Sequence, residues 1–217
     1  MHPLQKHYLF LSSTLLLLLV SSCSISRYKH ATGDRVFLSE KLLTPVLKPG
    51  QPLKYKATID VLKNHLSGLL IVKQTDSATV HFVFVTELGM KLFDFTYSNN
   101  AMKAEYVFEP LNKPKLIQSL MNNFKNMFLL GVINRPACDC KNEHNSFYQL
   151  EKFPEEKASV YLTIDSMKQL QNQELFNGRK KMSKIDYSHS SLTQNYTRIY
   201  CKQYGIVKIY IDLTAIQ

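Results

Sequence analysis

The sequence has no tryptophan, only four cysteines and only seven glycines in 217 residues. It also lacks the local patterns of familiar catalytic sites. There is no G-x-S-x-G, no H-E-x-x-H, no P-loop and no G-x-G-x-x-G. A nucleophile elbow, a zincin helix and the nucleotide-cradling glycine loops are thereby excluded. Carboxylates are scattered singly along the expected strands, and His81 and His144 are lone histidines, so no acid–base pair stands at diagnostic spacing. The chain is read as a non-enzyme that needs no cofactor. Internal repeats and low-complexity tracts are missing too, which leaves one globular domain of ordinary hydrophobic content. Acidic residues are scarce, 17 against 27 Lys and Arg, for a net charge of +10. The bases concentrate late, at Arg179, Lys180, Lys181, Lys184, Arg198, Lys202 and Lys208. With the extracytoplasmic placement read below, nucleic acid is not an expected partner. An anionic lipid surface or an acidic protein patch is, with solvated strand faces as the plain alternative.

Long apolar runs are equally scarce. The one present, 9–20, follows Lys6 and is too short for a comfortable membrane span. It has the length of a signal-peptide core. It ends in Val20-Ser21-Ser22-Cys23, which resembles the lipobox of bacterial lipoproteins. The small residues let a signal peptidase close around the backbone, and the Cys23 thiol takes a diacylglyceryl group as a thioether. The expected organisation is a signal peptide over 1–22, a lipidated tether over 23–50 and a folded domain over 51–217. Acyl chains on Cys23 would hold the protein on membrane lipid without a spanning helix. Ser24, in place of an aspartate, points to the outer membrane, and the lack of an acidic cluster after Cys23 points to its periplasmic side. A monomer is expected.

Of the other cysteines, Cys138, Cys140 and Cys201 are an odd number for an oxidising compartment. A disulfide from Cys201 to one of the other two is the first choice, because a Cys138–Cys140 bridge closes a very short loop. Zinc held by Cys138, Cys140, His144 and Cys201 is chemically conceivable, but C-x-C-x₃-H is no standard finger, so no metal is assigned.

Between 55 and 131 the pattern is regular. Five segments rich in β-branched and aromatic residues, 55–62, 66–74, 78–87, 91–97 and 102–109, are separated by short turns. Connections this short force antiparallel neighbours. A helix follows over 114–130, with Leu116, Ile117, Leu120, Met121, Phe124, Met127 and Phe128 on one side, Asn112 as N-cap and Gly131 as C′ residue. The segment 133–146 reads as a polar excursion. A second strand set follows at 146–153, 159–164, 180–187, 195–204 and 206–213, with 166–176 either a short helix or an irregular connection. The segment 24–50 carries at most one short helix. The fold class is mainly β, an open, incomplete antiparallel barrel of about ten strands with the amphipathic helix in or over its concave face.

Gly68, the aromatic strand 78–87, the Leu88-Gly89 turn, the strand after it and a helix ending Phe128-Leu129-Leu130-Gly131 occur in that order. In this the chain resembles the LolA/LolB family of periplasmic lipoprotein carriers and outer-membrane lipoprotein receptors, and within it the LolB branch, whose members are lipoproteins. The resemblance covers roughly two thirds of the domain. It implies an apolar half-barrel that binds acyl chains, of a lipoprotein or a lipid, for delivery to the outer membrane. Phe82, Phe84, Phe93, Phe95, Tyr106, Leu120, Phe124 and Phe128 are the expected cavity lining. It also implies that Leu88, followed by Gly89, is an exposed leucine that enters the bilayer. The alternative is that Leu88 folds back on the core. An accessory envelope lipoprotein whose barrel is filled by its own side chains is the competing function.

Overall fold

Alternation with period two decides the sheet. Along Leu53–Val61 the side chains of Tyr55, Ala57, Ile59 and Val61 are buried, while Lys54, Lys56 and Asp60 are exposed. A strand patterned this way must lay one face on a core. A computed structural model describes residues 28, 32–38, 47, 49–61, 64–76, 78–132, 135–141, 146–152, 158–167, 169–190 and 196–216. Among them are thirteen strands: β1 (Thr32–Phe37), β2 (Leu53–Val61), β3 (Asn64–Gln74), β4 (Val80–Thr86), β5 (Lys91–Ser98), β6 (Ala101–Val107), β7 (Pro136–Lys141), β8 (Ser146–Leu150), β9 (Ala158–Ile164), β10 (Leu170–Asn177), β11 (Lys180–His189), β12 (Tyr196–Gln203) and β13 (Ile209–Ala215). They form one antiparallel sheet in the order β1-β7-β8-β9-β10-β11-β12-β13-β2-β3-β4-β5-β6. The open antiparallel architecture with a long amphipathic helix, the one α-helix among the described residues, is as expected.

The strand count is higher than about ten, because three strands lie where none was expected. β1 falls inside the segment read as a tether and pairs with β7, Arg35 opposite Cys138. Its sequence, TGDRVF, shows no apolar alternation, since only Val36 and Phe37 are apolar. β7 occupies the supposed polar excursion and opens on Pro136, a position where the missing N–H costs no ladder bond. β10 replaces the helix or irregular connection of 166–176. Its period is disguised because Gln173 and Glu174 are buried polar residues with partners of their own.

The helix α1 (Pro114–Met127) buries Leu116, Leu120, Met121, Asn123, Phe124 and Met127. Lys113, not Asn112, is its N-cap, and no side chain caps it. Asn112 instead donates to the Glu109 carboxylate at 3.4 Å. The other end is a Schellman closure. The Leu130 N–H donates to the Lys125 carbonyl at 3.0 Å and the Leu129 N–H to the Asn126 carbonyl at 3.1 Å. The left-handed C′ residue is therefore Leu129 at φ +53°, and Gly131 lies two residues beyond it. Leucine in that conformation costs about 1–2 kcal/mol, which its nearly complete burial offsets.

Candidate ligand-binding cleft

Seven of the eight residues expected to line a cavity are packed shut. Phe124 lies 5.7 Å from Phe82 and 5.5 Å from Phe93, ring centre to ring centre. Phe128 sits 5.3 Å from Phe82 and 5.8 Å from Tyr55. Phe93 stacks on Phe95 at 4.5 Å and touches Phe84 at 5.2 Å. With Leu120 these rings are buried in the main core. They fasten α1 to the concave face of β2–β5 as part of one packed core. The eighth residue, Tyr106, is exposed. The register of β5 and β6 shifts between Asp94 and Phe95, so that Phe95 opposes Ala104 but Asp94 opposes Tyr106. The extra residue, Glu105, reverses the parity of the strand and turns Tyr106 to the outer face, where Lys91 lies over its ring.

An open cleft lies on the other flank of the helix. A cleft of about 660 Å³ separates α1 from the concave face of β8–β10. Leu150, Ala158, Val160 and Leu175 form its sheet wall, joined by Leu130 and Val132 from the segment after the helix. Val160 opposes Leu175 in the ladder, which sets two apolar side chains abreast. The helix side is polar, with Asn122, Lys125 and Asn126 along one flank and Asn100 beside them. Lys125 donates to the Asn100 carbonyl at 3.3 Å and lies 5.9 Å from the Tyr97 ring centre. Arg135 closes one end, its Nε donating to the Glu151 carbonyl at 2.9 Å. Gln173 reaches the floor, and its Oε1 accepts from the Tyr187 hydroxyl at 3.3 Å. Burial raises the pKa of that phenol well above its ordinary value, so it stays a neutral donor. The arrangement suits an amphiphile, with an apolar trough on one side and amides and two cations on the other.

The sequence carried signals for these residues. Val160 and Leu162 alternate on one face of β9, and Asn122 and Asn126 stand four apart on α1. Both were legible as faces, but nothing local says that the two faces meet. Leu88 is where the sequence places it, at the tip of the β4–β5 hairpin, and is 98 % exposed. Gly89 beside it has φ +82° and nothing within reach of an added Cβ. The fold-back alternative for Leu88 is thereby removed.

The cysteines differ from the first expectation. Cys138 is bonded to Cys140, and Cys201 is a free, buried thiol. Two residues apart on β7, Cys138 and Cys140 share one face, with Cα atoms 5.3 Å apart, inside the range a disulfide accepts. Cys201 lies on β12 in the main core, whereas Cys140 belongs to a separate small cluster with Tyr28, Phe147 and Phe176. Cys23 and His144 lie outside the described residues. In the small cluster Tyr28 stacks on Tyr161 at 4.1 Å, and its hydroxyl donates to Glu174 at 2.8 Å. Lys181 completes that contact by pairing with the other Glu174 oxygen at 2.7 Å.

Fold and cleft together define a class: an open antiparallel sheet curled on a long helix, with a ligand-sized space between that helix and half of the sheet. No protein-family model and no curated protein matches the sequence. Among solved structures, a LolA superfamily protein from Nitrosomonas europaea aligns with a TM-score of 0.54. The match covers 84 % of this chain and 92 % of that chain, at 11 % identity. The chain thus has a LolA-like fold.

Proposed function

We propose that the chain is a membrane-anchored lipoprotein that binds acyl chains, of a lipid or of a lipoprotein, and hands them to the outer membrane from its periplasmic side. The cleft carries this reading. Its volume, about 660 Å³, lies within the range of ligand pockets, and its two unlike walls match an acyl chain with a polar head. Transfer needs no covalent chemistry. Each buried methylene contributes about 0.8 kcal/mol, so a cleft of this size can compete with a carrier for its cargo. The anchor is the acylated Cys23. The LolB-like element is Leu88, which stands clear of the protein as a residue entering a bilayer must.

Native mass spectrometry of the protein purified from bacterial membranes tests the cleft. Adducts of lipid mass that dissociate on activation are expected. They should be reduced in Val160→Phe, which fills the trough. An adduct-free spectrum of the unaltered protein would remove acyl binding and leave the filled-barrel accessory reading. Incorporation of labelled palmitate into Cys23→Ala would remove the anchor independently.

A further inference from the structure

Strand direction sorts the hairpin tips of this sheet between two ends. The β10–β11 and β12–β13 turns lie at the same end, because Ser183 opposes Gln203 where both hairpins approach their tips. Two features set this end apart. Ile206, in the β12–β13 turn, is 96 % exposed. A large aliphatic residue at a tip is unfavourable in water, where turns ordinarily carry polar residues. The second feature is charge. Residues 175–185 and 200–211 contain Arg179, Lys180, Lys181, Lys184, Lys202 and Lys208 and no Asp or Glu. Lys181 and Lys184 are paired, to Glu174 and Asp186. Arg179, Lys180 and Lys208 are exposed and form no ion pair among the described residues. Lys184 stands directly opposite Lys202 in the ladder, a like-charge pairing that weakens a sheet. Lys202 lies over the rings of Tyr204 and Tyr210, at 5.3 and 5.6 Å.

We infer that these two tips form a docking surface for an anionic lipid bilayer, with Ile206 entering the interface and Arg179, Lys180, Lys202 and Lys208 as its cationic collar. The combination of a projecting aliphatic side chain, a neighbouring tyrosine and cations that form no ion pair among the described residues is that of an interfacial membrane contact. A folded acidic protein would satisfy the cations but would also need an apolar pocket matched to one projecting side chain, which a bilayer does not require. The inference is independent of what the cleft holds, and its test does not involve the cleft.

The chain has no tryptophan, so Ile206→Trp in the full-length protein is a sole reporter. With phosphatidylcholine vesicles containing phosphatidylglycerol, its emission should shift to the blue and be quenched by brominated acyl chains. The quenching should be lost in 1 M salt, where the Debye length falls to about 3 Å, and in the additional presence of Lys202→Glu and Lys208→Glu. Because quenching reports the depth of residue 206, attachment through an acylated terminus does not imitate it. Tyr204→Trp is the second reporter should the first disturb the turn. Emission that stays at its aqueous position on anionic vesicles overturns the inference. So does quenching of equal size on neutral vesicles or in the charge-reversed variant.

Discussion

At the scale of single residues, burial and exposure each make a measurable claim. Cys201 is buried in the core, and burial pushes its thiol up to about 12 from an ordinary 9. In the unfolded chain the same thiol ionises near 9. Above that pH the unfolded state sheds a proton that the fold keeps, so stability falls as pH rises from 9 toward 12 and is unaffected below 9. The slope for one such group is about 1.4 kcal/mol per pH unit. Cys201→Val should therefore lose less stability than the unaltered protein between pH 8 and 10.5, as read by urea midpoints. Equal losses would place the alkaline sensitivity elsewhere, on Tyr55 or Tyr187, whose phenols burial also raises. Leu88 makes the opposite claim. Leu88→Glu should leave the melting temperature within about 2 °C, because an exposed tip contributes little to stability. It should also stop delivery of bound acyl chains to liposomes. Normal delivery by that variant takes Leu88 out of the mechanism. Leu88 was legible because a large apolar residue in a short turn breaks the usual turn chemistry. The Cys138–Cys140 bridge was not, because the proximity of paired cysteines belongs to the strand geometry rather than to their spacing.

At the scale of elements, α1 is the clearest case. Its apolar spacing showed which face would be buried, and Phe124 has no exposure at all. Phe124→Ala should cost about 3–5 kcal/mol. Phe124→Asp should cost more, since it also buries an unpaired carboxylate. Lys125→Asp should cost far less, and similar melting temperatures for the two aspartate variants would mean that the stripe does not face the sheet. The ends of α1 depart from the sequence pattern for a physical reason. Asn112 and Gly131 are residue types suited to caps, yet the backbone bonds fall to Lys113 and Leu129 because packing of Leu111 and Leu129 fixes where the chain turns. Gly68 marks a tight approach of β3 to β4, where an added Cβ would stand 2.0 Å from the Val85 carbonyl oxygen. Gly68→Ala should destabilise the protein by about 1–3 kcal/mol through overpacking, read as a drop in urea midpoint. An unchanged midpoint would mean that the strands part freely. The bulge at Glu105 was invisible in the sequence, because alternation through Ala104, Tyr106 and Phe108 looks unbroken while the ladder slips by one.

At the scale of the whole molecule, the class of fold was legible and the strand order was not. Short turns imply antiparallel neighbours within 53–107, but no local signal says that β13 pairs with β2, Ile211 opposite Ile59. That long-range pairing is also why the cleft could not be placed. The cleft forms between a helix in the middle of the chain and strands β8–β10, whose position follows only once β13 has joined the two halves. Deleting residues 209–217 should therefore abolish the cooperative transition rather than trim an edge, as followed by circular dichroism. A shortened chain that still melts sharply would show the β2–β6 half to be self-sufficient. The pairing bears equally on time. β13 follows every other described strand in the chain yet lies eighth of thirteen in the sheet, so the ladder has a gap near its centre until β13 arrives. Contacts this distant in sequence form late and slowly. A chain released progressively from its N-terminus therefore carries two unjoined half-sheets, β7–β12 and β2–β6, and can close them into one only when β13 is free to pair.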